Sequence, residues 1–221
     1  MRALHARAGV FTLNELVESI TPLFLFPFMG VEMVFHEKKD ENMAQEKYQI
    51  LSLQRYFGEG TFAQVFAAWD KRGIHYHFSV EKETDLSIDN DPRKGDSIEL
   101  FFNTRPSDSR TFLTQFCHHF VLTPVEMRGT LFREVTKFRT EETHPFVTQQ
   151  DVSVSSHLDT DRYLIDCILP FSVFHGYEKK KPLTFFYRIN RKESSPQSLS
   201  ASHQEYEPQK TPLLWTKVSF E

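Results

Sequence analysis

Short apolar segments separated by turns run through most of this 221-residue chain. Within them, apolar residues recur at every second position or fill both alternating sets of positions. This is typical of β-strands, because successive side chains point to opposite faces. About ten such segments at a spacing of roughly 8–15 residues, with little helix between them, predict an all-β fold, an antiparallel and jelly-roll-like β-sandwich. A chain of this length suits a single core of that kind.

Residues 95–104, Gly-Asp-Ser-Ile-Glu-Leu-Phe-Phe-Asn-Thr, are expected to form a central strand. Gly95 gives the backbone freedom for a sharp turn before the strand. Ile98 begins an apolar face, whereas Glu99 lies on the other face beside Phe101. An unpaired buried carboxylate costs several kcal/mol or becomes protonated. Glu99 is therefore expected either to contact a ligand in a wet groove or to pair with a nearby Arg or Lys.

Residues 62–69 and 74–80 predict a β-hairpin joined by a turn that ends in a glycine. Alternation places the apolar residues of the second strand in the core, and His75 and His77 outside. Further strands are predicted at residues 116–122, 131–138, 152–157, 163–169, 183–190 and 215–220. Pro124 is expected to end the first of these, because proline cannot donate to the ladder of hydrogen bonds.

The N-terminal part of the chain has a different pattern. Residues 12–15, Thr-Leu-Asn-Glu, form a capping box, which predicts a short amphipathic helix before Pro22. Residues 36–46 are polar and predict a loop. The chain is therefore divided into residues 1–46, an N-terminal helix with an edge or linker segment, and residues 47–221, the β-sandwich.

Composition and charge exclude several classes of partner. The formal net charge of -4 and the lack of a long Lys/Arg run argue against nucleic acid. The apolar run 23–35 is broken by Pro27 and Glu32 and is too short to cross a bilayer as a helix. No signal-peptide pattern follows Arg2 and Arg7. A cytoplasmic protein without a membrane partner is therefore expected.

Histidines occur close together in two predicted strands, at His75 with His77 and at His118 with His119. Neither Cys-x-x-Cys nor His-Glu-x-x-His accompanies them. Solvated histidines are therefore expected in place of a zinc site. Both cysteines of the chain lie in predicted strands and are expected to pack there as small apolar residues.

The acidic loop before the central strand offers oxygen ligands from Asp85, Asp89, Asn90 and Asp91. These residues lack the regular ligand spacing and the closing glutamate of a calcium loop, so a plain acidic loop is favoured and calcium stays an open option. No other cofactor is predicted. Catalytic motifs such as Gly-x-Ser-x-Gly or a phosphate loop are also absent from the sequence, so the chain is not predicted to be an enzyme.

Five motifs in order resemble those of the family-9 carbohydrate-binding modules and their DOMON-like relatives. Residues 68–70, Ala-Trp-Asp, resemble the start of a W-D-x-x-x-L-Y turn, and residues 95–102 resemble a D-S-V-E-I-F strand. Residues 163–170 resemble a Y-x-x-E-x-x-I-P strand, and residues 186–190 resemble a G-F-x-x-x-V-N strand. Trp215 begins a terminal strand as theirs does. A narrower group of bacterial proteins is also similar, through residues 25–28, 116–122 and 212–215.

The resemblance implies a jelly-roll-like sandwich that, in characterised members of the family, holds a sugar between two tryptophans over a groove. Glu99 matches a family glutamate that contacts sugar hydroxyls. The first stacking tryptophan aligns with Arg93, the second has only Tyr206 in its place, and the arginine expected on the following strand aligns with Cys117. The candidate ligand-binding residues are Glu99, Arg93, Asn190 and Tyr206.

Three functions follow as alternatives. The first is non-catalytic recognition of a saccharide or glycan end in a surface groove, which an aromatic shelf beside Glu99 would favour. The second is a scaffold for a protein partner with sugar binding lost, which a broad exposed apolar patch would favour. The third and most remote is heme binding, as the DOMON-like relatives imply, although neither Met33 nor Met127 has a partner ligand that the sequence places.

Overall fold

The computed structural model describes eight stretches of the chain, and the predicted N-terminal helix lies outside them. No helix within the described residues is long and apolar enough to cross a membrane. The described residues are 32–52, 54, 60–82, 85–106, 112–179, 181–192, 194–199 and 207–221.

The described residues form twelve strands and a few single-turn 3₁₀-helices. The strands are β1 (Glu32–Phe35), β2 (Gln49–Ile50), β3 (Ala63–Asp70), β4 (Gly73–Glu81), β5 (Ser97–Asn103), β6 (Cys117–Met127), β7 (Thr130–Glu134), β8 (Ser153–Leu158), β9 (Arg162–Leu169), β10 (Leu183–Asn190), β11 (Gln197–Ser198) and β12 (Thr216–Phe220). The 3₁₀-helices are Glu46–Tyr48, Pro92–Lys94, Gln149–Asp151, Phe171–Val173 and Pro212–Leu214.

Two sheets pack face to face. The larger sheet has the order β1-β12-β10-β5-β6-β7, with β11 paired to β10, and the smaller sheet has the order β2-β3-β4-β9-β8. Neighbouring strands are antiparallel except at one edge, where β1 runs parallel to β12. The predicted all-β sandwich is therefore confirmed. The strand expected to be central, β5, lies between β10 and β6, and all its residues are buried.

Aromatic rings fill the space between the sheets. Phe102 and Phe185 of the larger sheet lie 5.2 Å apart by ring centroid, and Phe185 lies 5.6 Å from Tyr76 of the smaller sheet. Tyr76 in turn stacks on Phe78, as alternation along β4 predicted. Each buried aromatic side chain removes roughly 150–250 Å² from water, so these rings dominate the apolar core. Both cysteines are buried and free, as predicted.

The β3–β4 hairpin and the strand at residues 183–190 are confirmed. The turn of the hairpin requires its glycine for two reasons. Gly73 has a φ of 149°, which side chains rarely adopt, and a Cβ there would lie 2.1 Å from the carbonyl oxygen of Leu169. Gly95 needs glycine for space alone, because its φ of -143° is ordinary extended backbone while a Cβ would lie 2.4 Å from the carbonyl oxygen of Ser87.

The strand predicted at residues 116–122 is longer than expected. It continues through Pro124 to Met127. The pairing register between β6 and β7 shifts between Leu122 and Met127, so a β-bulge lies where the proline occurs. A proline at such an irregularity removes no ladder hydrogen bond, and the prediction that Pro124 ends the strand is therefore wrong.

The polar segment predicted as a loop covers the outer face of the smaller sheet. Met43 and Tyr48 pack on Phe66 and Ala68 of β3 in a second, smaller apolar cluster. The Tyr48 hydroxyl accepts a hydrogen bond from the backbone N–H of Lys39, at 3.0 Å. The edge segment expected at residues 23–28 lies outside the described residues, and the division of the chain between residues 46 and 47 stays a prediction.

Candidate functional site

A groove of about 750 Å³ lies on the outer face of the larger sheet. Buried polar side chains from three adjacent strands form its base: Glu99 of β5, His119 of β6 and Arg188 of β10. These side chains point away from the aromatic core, because alternation sends Ile98, Leu100 and Phe102 inward. The apolar part of the lining is formed by Leu113, Val135 and Phe138. The groove therefore combines a buried charged base with an apolar wall.

Glu99 is held by donors from both neighbouring strands. Glu99 lies directly opposite Arg188 in the β5–β10 ladder, and Nε of Arg188 donates to Oε1 of Glu99 at 2.7 Å. Nδ2 of Asn190 donates to the same oxygen at 2.8 Å, and Nε2 of His119 lies 2.7 Å from Oε2. The expected pairing of Glu99 with an arginine is confirmed, and the carboxylate also lines the groove, while its contact with a ligand stays a prediction.

The charge of Glu99 is kept by these partners although the residue is only 1% exposed. Burial alone would raise the pKa of the carboxyl group, but the His119 hydrogen bond and the Arg188 charge outweigh burial and lower this pKa to about 2. Nη2 of Arg188 also lies 2.7 Å from Oε1, at an angle that makes no hydrogen bond. Among the described residues, the N–H groups on that nitrogen have no acceptor.

Two adjacent histidines of β6 serve different faces of the sheet. His119 faces the groove and stacks on Phe101, with a ring-centroid distance of 4.4 Å. His118 faces the core, where its ring lies 5.2 Å from Phe120. The separation follows from alternation along the strand, and it rules out a metal site that would use both of these histidines.

The loop before β5 brings Arg93 to the groove. Asp96 closes this loop, because its backbone N–H donates to Ser87 O at 2.6 Å and its Oδ2 accepts from the Ser87 N–H at 2.7 Å. Arg93 then forms a two-pronged pair with Asp91, with both nitrogen–oxygen distances at 3.1 Å. Nη2 of Arg133 on β7 holds the same loop through the carbonyl of Asn90, at 3.0 Å.

Trp215 holds in place a further segment of the groove lining, around Gln209. It is buried, and its Nε1 donates to Pro208 O at 3.0 Å. This bond tethers the segment that carries Glu207, Gln209 and Lys210 into the lining of the groove. Trp215 is therefore a structural residue beneath the site.

An aromatic shelf lies beside Glu99. The ring of Phe138 lines the groove and stacks on Phe146, with centroids 5.9 Å apart. Phe146 is 51% exposed, which is unusual for a side chain of this size. Behind Phe138, the ring of His144 stands perpendicular to it at 4.8 Å.

His144 belongs to a buried cluster around Glu134, here called the Glu134 cluster, which comprises Glu134, His118, His144 and Thr136. Oε1 of Glu134 accepts from Nδ1 of His118 at 3.1 Å, from Nε2 of His144 at 2.9 Å and from the Thr136 hydroxyl at 2.7 Å. Oε2 accepts from the Val147 N–H at 2.8 Å. Burial would raise the pKa of Glu134, but the two histidine hydrogen bonds outweigh it and lower this pKa to about 2.

The hydrogen-bond partners of the two histidines determine where the protons of the Glu134 cluster lie. The backbone N–H of His175 donates to Nε2 of His118 at 3.0 Å, so the proton of His118 sits on Nδ1 and faces Glu134. Both ring nitrogens of His144 face acceptors, Gln115 O at 2.5 Å and Glu134 Oε1, so His144 is an imidazolium. Burial opposes this charge, but the carboxylate of Glu134 outweighs burial and raises the pKa of His144.

Three members of this cluster, His118, Glu134 and His144, place ligand atoms within 4.8 Å of one another, as a metal site would. The hydrogen bonds do not fit a metal. Because Nε2 of His118 accepts an amide proton, its Nδ1 must keep a proton, and His144 uses both nitrogens as donors. The cluster is therefore a buried ion pair with its hydrogen bonds satisfied.

The solvated character predicted for the histidines is wrong for His75, His118 and His119, which are all buried. His75 lies beneath the segment at residues 37–48, where its Nε2 is 2.9 Å from Oδ1 of Asp70. The sequence pattern placed these side chains on outward faces or in strands without showing that other segments cover them.

The acidic loop does not fit a calcium ion. Arg93 occupies both carboxylate oxygens of Asp91, and Arg133 donates to the carbonyl of Asn90. Oδ1 of Asp89 accepts the backbone N–H of Asp91 at 2.8 Å. The guanidinium groups of Arg93 and Arg133 therefore occupy oxygens that a calcium ion would need. Their positive charges would also repel the ion.

Of the candidate residues from the sequence, Arg93 and Glu99 line the same groove, and Asn190 lies beneath it as a hydrogen-bond partner of Glu99. Tyr206 lies outside the described residues. Arg188 was missed, although it lies in a predicted strand on the same face as Asn190. The arginine expected at Cys117, on one neighbour of β5, is supplied by β10, the other neighbour.

No protein-family model and no curated protein matches this chain. Three solved structures are similar in fold. A family-9 carbohydrate-binding module from Caldicellulosiruptor kristjanssonii in complex with cellotriose has a TM-score of 0.60 at 11% identity, covering 86% of this chain and 94% of that chain. A family-9 module of the same organism in complex with glucose has a TM-score of 0.57 at 11% identity, covering 86% and 96%.

The third structure, from Bacteroides uniformis ATCC 8492, is provisionally described as a carbohydrate-binding protein. It has a TM-score of 0.56 at 14% identity, covering 86% of this chain and 100% of that chain. The chain has a β-sandwich fold like that of the family-9 carbohydrate-binding modules.

Proposed function

We propose that this chain is a non-catalytic carbohydrate-binding domain that takes a saccharide or glycan end into the groove above Glu99. The observation that carries the proposal is the combination of a buried hydrogen-bonding base with an aromatic ring, Phe138, in one open groove. A pyranose has apolar C–H faces that pack on aromatic rings, while its hydroxyl groups need fixed polar partners. Both requirements are met here within one site.

The base is suited to hydroxyl groups because its donors and acceptors are held in place. Glu99 offers acceptor oxygens that are fixed by Arg188, Asn190 and His119. Nη2 of Arg188 lies 2.7 Å from Oε1 of Glu99, so the guanidinium is part of this fixed base. Polar groups that are fixed before binding lose little freedom when a ligand binds. The likeness in fold to family-9 modules in complex with sugars supports the same proposal.

The carboxylates in the groove support binding without catalysis. Glycoside hydrolysis needs a carboxylic acid that stays protonated near neutral pH together with a second carboxylate. The pKa of Asp91 is lowered by Arg93, that of Glu207 by Lys210, and that of Glu99 to about 2 by His119 and Arg188. The groove therefore offers no general acid among its described carboxyl groups.

Heme binding through one of the two methionines together with a histidine stays a prediction, whereas a site that uses both methionines is ruled out by their positions. Met33 lies on β1 and Met127 on β6, four strand steps apart in the same sheet. At about 4.8 Å per step these residues are separated by roughly 19 Å, which is too far for one iron. Among the described residues, the exposed large apolar side chains lie on separate elements, so no single strand or loop presents a broad apolar patch to a protein partner. These side chains are Leu51, Phe112, Phe146, Leu158 and Leu213.

The test is a glycan-array screen of the purified protein, followed by calorimetric titration of each sugar that binds. Phe138→Ala removes the shelf and is expected to weaken binding by about threefold to tenfold, since a stacking contact contributes roughly 0.5–1.5 kcal/mol. Leu158→Ala is the matched control, because Leu158 is 46% exposed on the other sheet. A folded protein that binds no member of the array would refute the proposal and leave the protein-scaffold alternative.

A further inference from the structure

The groove carries more positive charge than the rest of the molecule. Five cationic side chains and three anionic ones line it, an excess of two positive charges, whereas the whole chain has a net charge of -4. The cationic residues are Arg93, Lys137, Arg139, Arg188 and Lys210, and the anionic residues are Asp91, Glu99 and Glu207.

Each of the three anionic residues already has a cationic partner. Asp91 pairs with Arg93, Glu99 pairs with Arg188, and Glu207 pairs with Lys210 at 2.6 Å. The excess charge therefore belongs to two side chains that remain, Lys137 and Arg139. The three ion pairs leave no carboxylate in the groove to neutralise these two.

Lys137 and Arg139 flank the aromatic shelf. They are the neighbours of Phe138 in the chain, in the loop that follows β7, and both are exposed. Arg139 is fixed at its backbone, whose N–H donates to Leu113 O at 3.0 Å. Its charge helps to lower the pKa of Glu207 without forming an ion pair with it. Neither cation has an ion-pair partner among the described residues.

We propose, on the basis of the function proposed above, that the ligand of this groove is an acidic saccharide. One sugar ring packs on Phe138 while an anionic substituent, a carboxylate or a sulfate, pairs with Lys137 and Arg139. A guanidinium and an ammonium that line the same groove recognise such a group by charge and by directed N–H bonds. A groove with low-dielectric walls also concentrates their field on a bound anion.

The experiment compares ligands that differ only in charge. Trigalacturonate is titrated beside its fully methyl-esterified, uncharged form, and a sulfated oligosaccharide beside its desulfated form. The acidic member of at least one pair is expected to bind about tenfold more tightly, because charged hydrogen bonds are worth roughly twice neutral ones. The preference is expected to shrink as salt rises from about 0.05 to 0.5 M, as screening requires.

The protein variant is Lys137→Gln combined with Arg139→Gln, which is expected to remove most of that preference. The matched control is Lys71→Gln combined with Lys179→Gln, which makes the same change in net charge at two exposed lysines that are not part of the groove. The control is expected to keep the preference. Loss of the preference in both double variants would show a general charge effect and refute the site.

The failure of this inference is distinct from the failure of the proposed function. Equal binding of charged and uncharged members overturns the acidic ligand and leaves saccharide binding in place. Binding of neutral sugars alone on the array does the same. A folded protein that binds neither class refutes both proposals.

Discussion

Two buried glutamate–histidine groups on the same sheet differ in their access to solvent. Glu99 with His119 lies at the base of an open groove, whereas Glu134 with His118 and His144 lies behind the aromatic shelf and is fully enclosed. Both carboxyl groups have a pKa lowered to about 2 by their partners. The same chemistry therefore forms the base of the proposed binding groove on one face and an enclosed ion pair on the other. The face of the strand decides which role applies.

The two groups also meet. His144 of the Glu134 cluster stands against the back of Phe138, whose ring lines the groove. Thr136 donates its hydroxyl to Glu134 and accepts the backbone N–H of His119 at 2.8 Å. The enclosed group is thus expected to hold the aromatic shelf and the His119 backbone in place, so its loss acts on the groove indirectly.

The largest effect is expected for Glu134→Gln. The change leaves the His144 imidazolium buried without its counter-charge, which typically costs about 3–5 kcal/mol of the free energy of unfolding. Urea unfolding followed by fluorescence measures the change, with the exposed Glu126→Gln as the matched control. A loss below about 1 kcal/mol would mean that the enclosed group is not an ion pair.

A smaller effect on stability is expected for Glu99→Gln, about 2–3 kcal/mol, because water in the groove can reach the Arg188 and His119 groups that lose their charge partner. Saccharide binding, in contrast, is expected to be lost. The same unfolding experiment and calorimetric titration measure the two quantities. If Glu99→Gln destabilises the protein as much as Glu134→Gln does and leaves binding intact, the contrast between the groups is wrong.

A pH effect smaller than these two losses is expected from His144 alone. Its pKa is raised above the ordinary value of 6.5, so its contribution to stability is fully present below pH 6.5 and is lost as pH rises through the raised pKa. The pKa of His118 is lowered by burial, so its contribution has the opposite sign and changes only below pH 6.5. Unfolding free energies measured from pH 6.5 upward should therefore fall in the wild type and stay level in His144→Gln.

The smallest effect on stability is expected for the rim of the groove. Lys137→Gln combined with Arg139→Gln should change the free energy of unfolding by no more than about 0.5 kcal/mol, because both side chains are exposed and unpaired among the described residues. Thermal unfolding measures it. A clear rise in stability would indicate that Lys137 and Arg139 are strongly repelled by other positive charges in the folded protein. A clear fall would indicate that they pack on the aromatic shelf when no ligand is bound.

Much of the fold was predictable from the pattern of residues. The hairpin around Gly73, the strand at residues 183–190 and the inward face of β4 follow from alternation and turn chemistry, which act over a few residues. The extension of β6 through Pro124 was not, since a β-bulge there depends on how β7 pairs. The cover over His75 was also missed, because a polar segment gives no sign of where it packs.

Within the site, the amino-acid sequence showed that Glu99 is an unusual carboxylate in an apolar strand and that it needs a partner. It did not show which partner. Arg188 lies 89 residues away, and its place opposite Glu99 depends on the register of β10 against β5. The Glu134 cluster likewise collects His118 from β6, and Thr136 and His144 from the loop that follows β7.

Alternation assigns each side chain to a face because a strand's geometry depends only on its own backbone, so the chain alone determined most of the strands and the face of Glu99. Partners across strands depend on register, and register is set by the packing of whole sheets together with the turns that join them. Only the tertiary structure therefore decided that Glu99 meets Arg188, that Phe138 lies beside it, and that two cations remain without a carboxylate in the same groove.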